Sequence, residues 1–177
     1  MLRSEPGLFF LDPLFEELPE LELYLVGGIV RDTLGGETQP KDFDFVARKV
    51  ELELLTQTLS HYGKVDLVGR SFGVLKFWPK ASETKEPIDI ALPRTDISHG
   101  TGGYRDVDAK TDPRLPLRDD LARRDLTINA MAWDIRKQRL LDPFDGYADL
   151  RHAIVRAVGD PDERFQEDYS RIMRAIR

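Results

Sequence analysis

The chain has 177 residues, of which 41% are hydrophobic and 33% are charged, and its formal net charge at pH 7 is −6. This composition is typical of a globular protein with one core and room for the start of a second unit, and it excludes a disordered tail or a collagen-like repeat. No window approaches the roughly 20 apolar residues of a membrane span, and the N-terminus lacks the features of a signal peptide. We therefore expect a cytoplasmic protein with no membrane contact.

The residue types present limit the chemistry that the chain could perform. It has no cysteine, and its three histidines, His61, His99 and His152, lie far apart in the sequence. Disulfides and cysteine nucleophiles are therefore excluded, and a histidine zinc site or a Ser-His-Asp triad is disfavoured. Catalysis would have to come from carboxylates, arginines and hard metal ions.

The charges are unevenly distributed along the chain. Residues 1–60 hold 5 Lys and Arg against 12 Asp and Glu, whereas the rest of the chain is nearly neutral. No block of Lys and Arg stands out as the electrostatic footprint of a strong duplex binder. A nucleic-acid partner would have to be held by a local site, or by parts of the protein outside this chain.

Hydrophobic periodicity predicts alternating strands and helices in the first half of the chain, after an amphipathic stretch at 8–18. We predict strands at 21–26, 41–47, 65–67, 72–78 and 88–92, and helices at 29–34 and 50–61. This alternation predicts an α/β or α+β domain with one sheet.

The second half of the chain has weaker patterns. Residues 93–118 are rich in Gly, Asp, Pro and Thr, which predicts a long, mobile loop. A helix at 125–133 with Asp125 as its N-cap, a turn at 142–146 and a strand at 154–158 are predicted next.

The last segment is predicted to be one amphipathic helix. Its apolar face consists of Phe165, Tyr169, Ile172, Met173 and Ile176. The helix reaches Arg177 without a capping signal, so we expect the chain to be a fragment of a longer protein.

A double glycine, Gly27-Gly28, lies between the first predicted strand and the helix at 29–34. Glycines let the backbone approach a ligand closely, the helix offers free N–H groups to an anion, and Arg31 could complete a phosphate site. An ordinary strand-to-helix turn has the same pattern, and the motif is neither a Walker loop nor a dinucleotide fingerprint. Both interpretations stay open on this motif alone.

Two aspartates, Asp42 and Asp44, alternate with Phe43 and Phe45 in the predicted strand at 41–47. On a strand, such a pair projects from one side, about 6.5–7 Å apart. The like charges favour a cation between them, and Mg²⁺ takes carboxylate together with phosphate oxygens, although an exposed strand face would have the same pattern. Asp89 could supply a third carboxylate.

Charged residues also flank two later predicted helices. Arg123 and Arg124 precede the helix at 125–133, where the helix dipole does not favour cations, so they either serve a ligand or a distant acid, or form a solvated helix entry. On the last helix, Asp168 and Arg171 lie at i and i+3 and could form a local ion pair or present a fixed acceptor and donors to the edge of a base.

Taken together, five motifs in this order resemble one known family. They are GGIVRD (27–32), DFD (42–44), RRDLTINAMA (123–132), LDPFDG (141–146) and EDYSRIMRAIR (167–177). This series is similar to the signature motifs of class II tRNA nucleotidyltransferases, the CCA-adding enzymes, and of bacterial poly(A) polymerases. The resemblance extends from Leu25 to Arg177 and concerns the head domain of the polymerase-β nucleotidyltransferase superfamily.

The resemblance implies an α+β fold with one mixed or antiparallel sheet flanked by helices, followed by the first helix of an α-helical neck. The head domain would span residues 1–158 and the neck would begin at 159–177. The remaining domains, which grip tRNA in the family, are missing from this chain, and the acidic segment before Leu21 matches none of the motifs.

The resemblance also implies roles for individual residues. Asp42 and Asp44 would be catalytic and hold Mg²⁺, and Asp89 lies where relatives often carry an acid and would join them. The nucleotide-binding residues would be Gly28 and Arg31 at the triphosphate, Arg124 at the incoming nucleotide, Asp168 and Arg171 at the base edge of CTP or ATP, and Arg174 and Arg177 completing the site.

The implied reaction is template-independent addition of CMP or AMP to the 3′ end of tRNA by a two-metal mechanism, with release of pyrophosphate. The motifs do not separate complete CCA addition from CC addition, A addition or poly(A) tailing. A non-catalytic nucleotide- or RNA-binding module is an alternative of another class. A small-molecule nucleotidyltransferase is disfavoured, because that branch lacks the motif of the terminal helix.

Overall fold

The computed structural model describes residues 6–37, 42–68, 73–80, 86–98 and 107–176. Seven strands form one sheet in the order β3-β4-β5-β2-β1-β8-β9, and β6 and β7 form a separate two-stranded ribbon. The strands are β1 (Glu22–Val26), β2 (Asp44–Arg48), β3 (Gly63–Val68), β4 (Val74–Pro79), β5 (Ile88–Ala91), β6 (Arg94–Ser98), β7 (Val107–Thr111), β8 (Ala132–Asp134) and β9 (Arg139–Leu141). Only the β2–β5 pair is parallel in this described sheet, so the expected α+β fold with a mixed sheet is confirmed.

The helices flank the sheet and occupy the connections between its strands. They are α1 (Leu11–Glu17), α2 (Gly28–Leu34), α3 (Leu52–Ser60), α4 (Leu117–Ala122), α5 (Gly146–Arg151), α6 (Pro161–Glu167) and α7 (Ser170–Ile176). Two short 3₁₀ turns, Pro6–Leu8 and Thr127–Asn129, complete the secondary structure of the described ranges. Within those ranges, no helix has both the length and the apolar character that a membrane crossing requires.

The central strand β1 is buried on both faces because its side chains alternate between two apolar clusters. Leu23 and Leu25 pack into the larger cluster, which also contains Phe10 and Leu14 from the N-terminal segment. Tyr24 and its neighbours on the opposite face pack against α4. The acidic segment before Leu21 is therefore part of the core, although none of its residues belongs to a recognised motif.

Three predicted elements in the second half are wrong. In place of the helix at 125–133 the structure has the 3₁₀ turn Thr127–Asn129 followed by β8, because Ala130–Ala132 is fully buried against the sheet and tertiary packing overrides the helical pattern. In place of a loop at 93–118 it has β6, β7 and the start of α4, with 99–106 outside the described residues. The strand at 154–158 is reduced to one bridge between Leu126 and Ala157.

The last predicted helix is divided in two. The backbone of Asp168 is extended, with φ −156° and ψ 103°, so α6 ends before it and α7 begins after it. The apolar face expected on one continuous helix is largely exposed on α7, where the side chain of Met173 is 68% exposed and that of Ile176 is 76% exposed.

A glycine at the start of α5 provides a test of how tightly this helix packs on the 3₁₀ turn. A Cβ added at Gly146 would overlap the carbonyl oxygen of Thr127 and also meet Met131. We expect Gly146→Ala to lower the free energy of unfolding by about 3 kcal/mol, because neither backbone segment can move without disturbing the buried residues around it.

Gly36→Ala is the matched control for this change. Gly36 has φ +100° and no described atom within 4 Å of an added Cβ, so the substitution should cost only the backbone strain of about 1 kcal/mol. Urea unfolding of both variants measures the difference. Equal losses would contradict the tight packing of α5 on the turn.

Candidate active site

Three strands bring acidic residues together at one edge of the sheet. β1 and β2 are antiparallel, so the end of β1 at Val26 lies beside the start of β2 at Asp44. β2 and β5 are parallel, with Asp44 directly opposite Asp89. Since directly opposed residues project from the same face, the two carboxylates are neighbours on one surface of the sheet.

Asp42 does not lie on β2, which corrects the expectation that it alternates with Asp44 along one strand. β2 begins at Asp44, and Asp42 precedes it in the left-handed backbone conformation, with φ 59°. The two aspartates are nevertheless close enough that the charge of Asp42 raises the pKa of Asp44. The loop geometry before the strand, rather than the alternation of a strand, therefore positions Asp42.

Gly27 marks the point where backbone, carboxylate and guanidinium meet. Its φ of 81° is in the region that favours glycine, and it turns the chain from β1 into α2. A Cβ at Gly27 would lie 3.5 Å from Nη1 of Arg124 and 3.6 Å from Oδ2 of Asp44. Gly28 follows it, with Arg31 folded back above it: a Cβ at Gly28 would lie 3.4 Å from Nη2 of Arg31.

The electrostatic environment of Asp44 disfavours its ionised form. Partial loss of water around the carboxyl group, together with the charges of Asp89 and Asp42, raises the pKa of Asp44 to about 6, although the residue keeps exposed surface. Arg124 and Lys76 oppose it by attraction. The result is a concentration of negative charge that a bound cation would relieve.

The described residues fit a metal site with few protein ligands. Nζ of Lys76 lies 2.8 Å from Oδ1 of Asp89, so that carboxylate already has a cationic partner. The described ranges contain no cluster of three or more His, Cys, Asp or Glu side chains arranged to hold a metal ion. Asp42 and Asp44 match the needs of Mg²⁺, which uses one or two carboxylates together with phosphate oxygens and water.

Arg124 lies between the carboxylates of Asp120 and Asp44 at this edge of the sheet. Burial lowers the pKa of its guanidinium, while the charges of Asp120 and Asp44 act in the opposite direction. Its Nε is buried without a hydrogen-bond partner in the described part of the structure. A largely buried guanidinium whose Nε has no described partner, beside a glycine turn, can bind an anionic ligand.

Asp125 connects the segment that carries Arg124 to the C-terminal helices. Its Oδ1 accepts hydrogen bonds from the backbone N of Leu126 at 2.8 Å and Nδ2 of Asn129 at 3.1 Å, and its Oδ2 accepts one from Nε of Arg174 at 2.7 Å. Asn129 in turn accepts a bond from Nη1 of Arg31 at 2.7 Å. Burial alone would raise the pKa of Asp125, but the hydrogen bonds from Asn129 and Arg174 lower it below its usual value.

At the helix break, the side chains of Asp168 and Arg171 are both buried, but they do not bond to each other. Each forms hydrogen bonds with different neighbours. Nη1 of Arg171 donates to Oε2 of Glu167 at 2.7 Å, and its Nη2 donates to the carbonyl oxygen of Arg123 at 3.1 Å. Asp168 accepts from the backbone N of Ser170 at 2.9 Å and from Nη2 of Arg174 at 3.4 Å. The local ion pair that the i, i+3 spacing suggested is therefore replaced by two separate sets of contacts.

The structure thus brings most of the predicted site residues into one connected region. Asp42, Asp44, Asp89, Gly28 and Arg124 surround the sheet edge, whereas Arg31, Asp168, Arg171 and Arg174 are linked through the segment 123–129. Arg177 lies outside the described residues.

Four residues with contacts in the site were missed by the sequence reasoning: Lys76, Asp120, Asn129 and Glu167. Asp120 is three and four positions before Arg123 and Arg124, the spacing of neighbours on a helix, but α4 ends at Ala122 and is itself not predicted from the sequence. Glu167 likewise precedes Arg171 by four positions. Lys76 had no such signal, since its partner Asp89 is on another strand.

The mixed sheet flanked by helices matches the head domains of solved CCA-adding enzymes. The chain belongs to the Poly A polymerase head domain family, which it matches over residues 23–156.

Similar proteins agree on this family. The chain is 40% identical to a CCA-adding enzyme of Ligilactobacillus salivarius over 93% of its own length, and 40% identical to a multifunctional CCA protein of Acinetobacter baylyi over 89%. It spans 38% and 34% of those two relatives, respectively. CCA-adding nucleotidyltransferases are generally metal-dependent.

Solved structures give the same result. The CCA-adding enzyme of Bacillus stearothermophilus in complex with CTP matches with a TM-score of 0.73 and 28% identity, covering 98% of this chain and 39% of that enzyme. The Thermotoga maritima CCA-adding enzyme complexed with tRNA matches with a TM-score of 0.67 and 30% identity, covering 92% of this chain and 34% of that enzyme.

The raised pKa of Asp44 predicts a pH-dependent gain in stability for Asp44→Asn. A carboxyl whose pKa is higher in the folded than in the unfolded state costs stability once it ionises, so the cost grows as the pH rises from about 4 through 6. At pH 7.5 we expect the free energy of unfolding of Asp44→Asn to exceed that of the original chain by about 1 kcal/mol. The gain is limited to this size because solvent screens part of the repulsion. Thermal unfolding at several pH values measures this gap, which should close by pH 4.

Asp125→Asn is the control of opposite sign. Its lowered pKa means that the ionised carboxylate stabilises the fold, so the variant should be less stable at pH 7.5 and lose that disadvantage in acid. A gap for Asp44→Asn that is independent of pH would contradict the charge crowding at the sheet edge.

Proposed function

We propose that this chain is the catalytic head of a tRNA nucleotidyltransferase, which adds CMP, AMP or both from CTP and ATP to the 3′ end of tRNA and releases pyrophosphate. The observation that carries the proposal is the convergence of Asp42, Asp44 and Arg124 beside the Gly27-Gly28 turn. Similar structures with CTP, ATP and tRNA support the choice of substrates.

In the proposed reaction, the 3′ hydroxyl of the RNA gives up its proton to water, its oxygen attacks the α-phosphorus of the nucleotide, and the bond from that phosphorus to the bridging oxygen of pyrophosphate breaks. Asp42 and Asp44 would hold Mg²⁺, which would lower the pKa of the attacking hydroxyl and, with a second ion, offset charge on the leaving group. The backbone at Gly27 and Gly28 leaves room for the triphosphate. Arg124 and Arg31 donate hydrogen bonds to its oxygens.

The buried pair Asp168 and Arg171 is proposed to select the base. A carboxylate accepts hydrogen bonds and a guanidinium donates them. Cytosine and adenine each present an amino donor next to a ring-nitrogen acceptor, so both match this pair, whereas uracil and guanine present the reverse order. Glu167 and Arg174 hold the pair in place, with contacts of 2.7 Å from Arg171 to Glu167 and 3.4 Å from Arg174 to Asp168.

The division of the chain follows from the same proposal. Residues 1–158 form the catalytic head, and residues 159–177 begin a helical neck, with Arg174 and Arg177 completing the nucleotide site. Since the chain spans 38% of its Ligilactobacillus salivarius relative, the main grip on tRNA is assigned to parts of the protein outside this chain.

The function is tested by incubating the chain with tRNA that lacks its 3′ CCA, labelled CTP or ATP, and Mg²⁺. Product length distinguishes addition of C, of A, of CCA and of a poly(A) tail, the last being the second activity within the family. Nucleotide binding without Mg²⁺-dependent release of pyrophosphate would instead indicate a non-catalytic module.

Asp42→Ala should lower the rate of nucleotide addition by about a thousandfold, because it removes one of two carboxylates proposed to hold Mg²⁺. Asp42 is exposed and precedes β2, but its φ of 59° is less favourable for Ala than for Asp, so the melting temperature should fall by about 3 °C. Asp12→Ala, which removes an exposed aspartate of α1, is the control and should retain the original rate. Retention of that rate by Asp42→Ala would contradict the metal assignment.

Arg171→Ala should reduce the preference for CTP and ATP over UTP and GTP by about tenfold, since the fixed donors to the base are lost. Competition between labelled nucleotides measures this preference. Arg164→Ala is the matched control, because Arg164 also donates to Oε2 of Glu167, at 2.9 Å, and lies on α6. Arg164→Ala should change the rate of addition without changing the preference for CTP and ATP over UTP and GTP. An unaltered preference in Arg171→Ala would count against base selection by Arg171.

A further inference from the structure

A fully buried carboxylate, Asp120, lies directly behind the proposed nucleotide site. Its side chain has no exposed surface and is located on α4, three and four residues before Arg123 and Arg124. An isolated buried charge is costly, so a carboxylate in this position has to be offset by nearby donors and cations.

One oxygen of Asp120 ties α4 to the β6–β7 ribbon. Oδ1 accepts hydrogen bonds from Nε of Arg123 at 3.0 Å and from the backbone N of Arg94, the first residue of β6, at 3.1 Å. Nη1 of Arg123 continues to Oδ2 of Asp96 on the same strand at 3.0 Å. These hydrogen bonds offset the cost of burying Oδ1 and give this oxygen a structural role, which is to hold α4 against β6.

The other oxygen has no such explanation. Oδ2 is buried and has no hydrogen-bond partner in the described part of the structure, and it lies 3.9 Å from Nη2 of Arg124. The other terminal nitrogen of the same guanidinium, Nη1, would lie 3.5 Å from a Cβ at Gly27. The guanidinium thus lies between Asp120 and the Gly27 turn.

We propose that Asp120 is a positioning residue of the nucleotide site, whose charge holds the guanidinium of Arg124 from behind and leaves its outward donors for the triphosphate. This inference rests on the proposed function, since it assigns Arg124 to the nucleotide. It adds a residue and a role that the motifs do not imply.

The alternative position for Arg124 explains why the charge matters. Without Asp120, the adjacent guanidinium of Arg123 still repels Arg124, and Asp44, across the Gly27 turn, and Asp125 then attract it. A direct pair between Arg124 and Asp44 would occupy both the donors proposed for the triphosphate and a carboxylate proposed for Mg²⁺. Asp120 therefore keeps these two groups available for the ligand.

Asp120→Asn separates the two roles of the carboxylate. The amide oxygen can replace Oδ1 and keep the bonds to Arg94 and Arg123, but the amide NH₂ then replaces Oδ2 and faces the donors of Arg124. The test is the Kd for CTP with Mg²⁺, measured by isothermal titration on the whole chain. We expect Asp120→Asn to weaken binding about tenfold.

Two comparisons make the result specific to Arg124. Asp134→Asn removes the charge of another buried aspartate, which accepts a hydrogen bond from the backbone N of Lys137, and should leave the Kd for CTP within about twofold. In the background of Arg124→Gln, which itself weakens binding, Asp120→Asn should cause no further loss, because the group through which it acts is absent.

The outcomes separate this inference from the proposed function. If the original chain does not bind CTP, the proposed function fails. If the original chain binds CTP and Asp120→Asn binds equally well, or loses a further tenfold on top of Arg124→Gln, the positioning role is overturned. Should Asp120→Asn fail to fold, Asp120→Ser is measured in the same way, and loss of the fold in both variants would assign Asp120 to the α4–β6 junction alone and overturn the proposal.

Discussion

Ionised carboxylates at the junction of β1, β2 and β5 repel one another, and much of the surrounding structure offsets that repulsion. Asp44 and Asp89 are neighbours across the parallel pair of strands, and the chain adds Lys76 on one side and Arg124 on the other. The compensation is incomplete, because the pKa of Asp44 is still raised to about 6. These acids cost stability in the unliganded protein, so their presence together is consistent with a site that is complete only when a cation and an anionic ligand are bound.

The sheet, which has an apolar cluster on each face, is the rigid part of the structure that supports this junction. Alternate residues of β1 pack into apolar clusters on opposite faces, so the end of the strand at Gly27 is fixed in position and direction. The segment 123–129 crosses behind it as an irregular chain with a 3₁₀ turn instead of a helix. That irregularity lets consecutive residues point in different directions: Arg124 faces Asp44 and Gly27, and Asp125 faces Arg174.

Much of the fold around the site could be predicted from the sequence, because burial imposes a period on β1, β2, α3, β4 and β5. The ribbon of β6 and β7 was missed since its residues are partly exposed and leave no such period. The helix predicted at 125–133 is wrong because the apolar pattern of Ala130–Ala132 is compatible with either a helix or a strand, and these residues are buried against the sheet. For the site, the motifs identified the charged residues, but the partners Lys76 and Asn129 depend on contacts between distant segments that no local pattern encodes.

The attachment of α7 has a consequence for the response of the molecule to its solvent. Its contacts with the segment 123–129 are polar, from Arg171 to the carbonyl oxygen of Arg123 and from Arg174 to Asp125, while Met173 and Ile176 face outward. Dissolved salt screens charge pairs at the surface but leaves apolar burial intact. Ionic strength therefore weakens the partly exposed pair between Arg174 and Asp125 more than it affects the apolar packing of the sheet, so the electrolyte around the protein changes how firmly α7 is held against the segment 123–129.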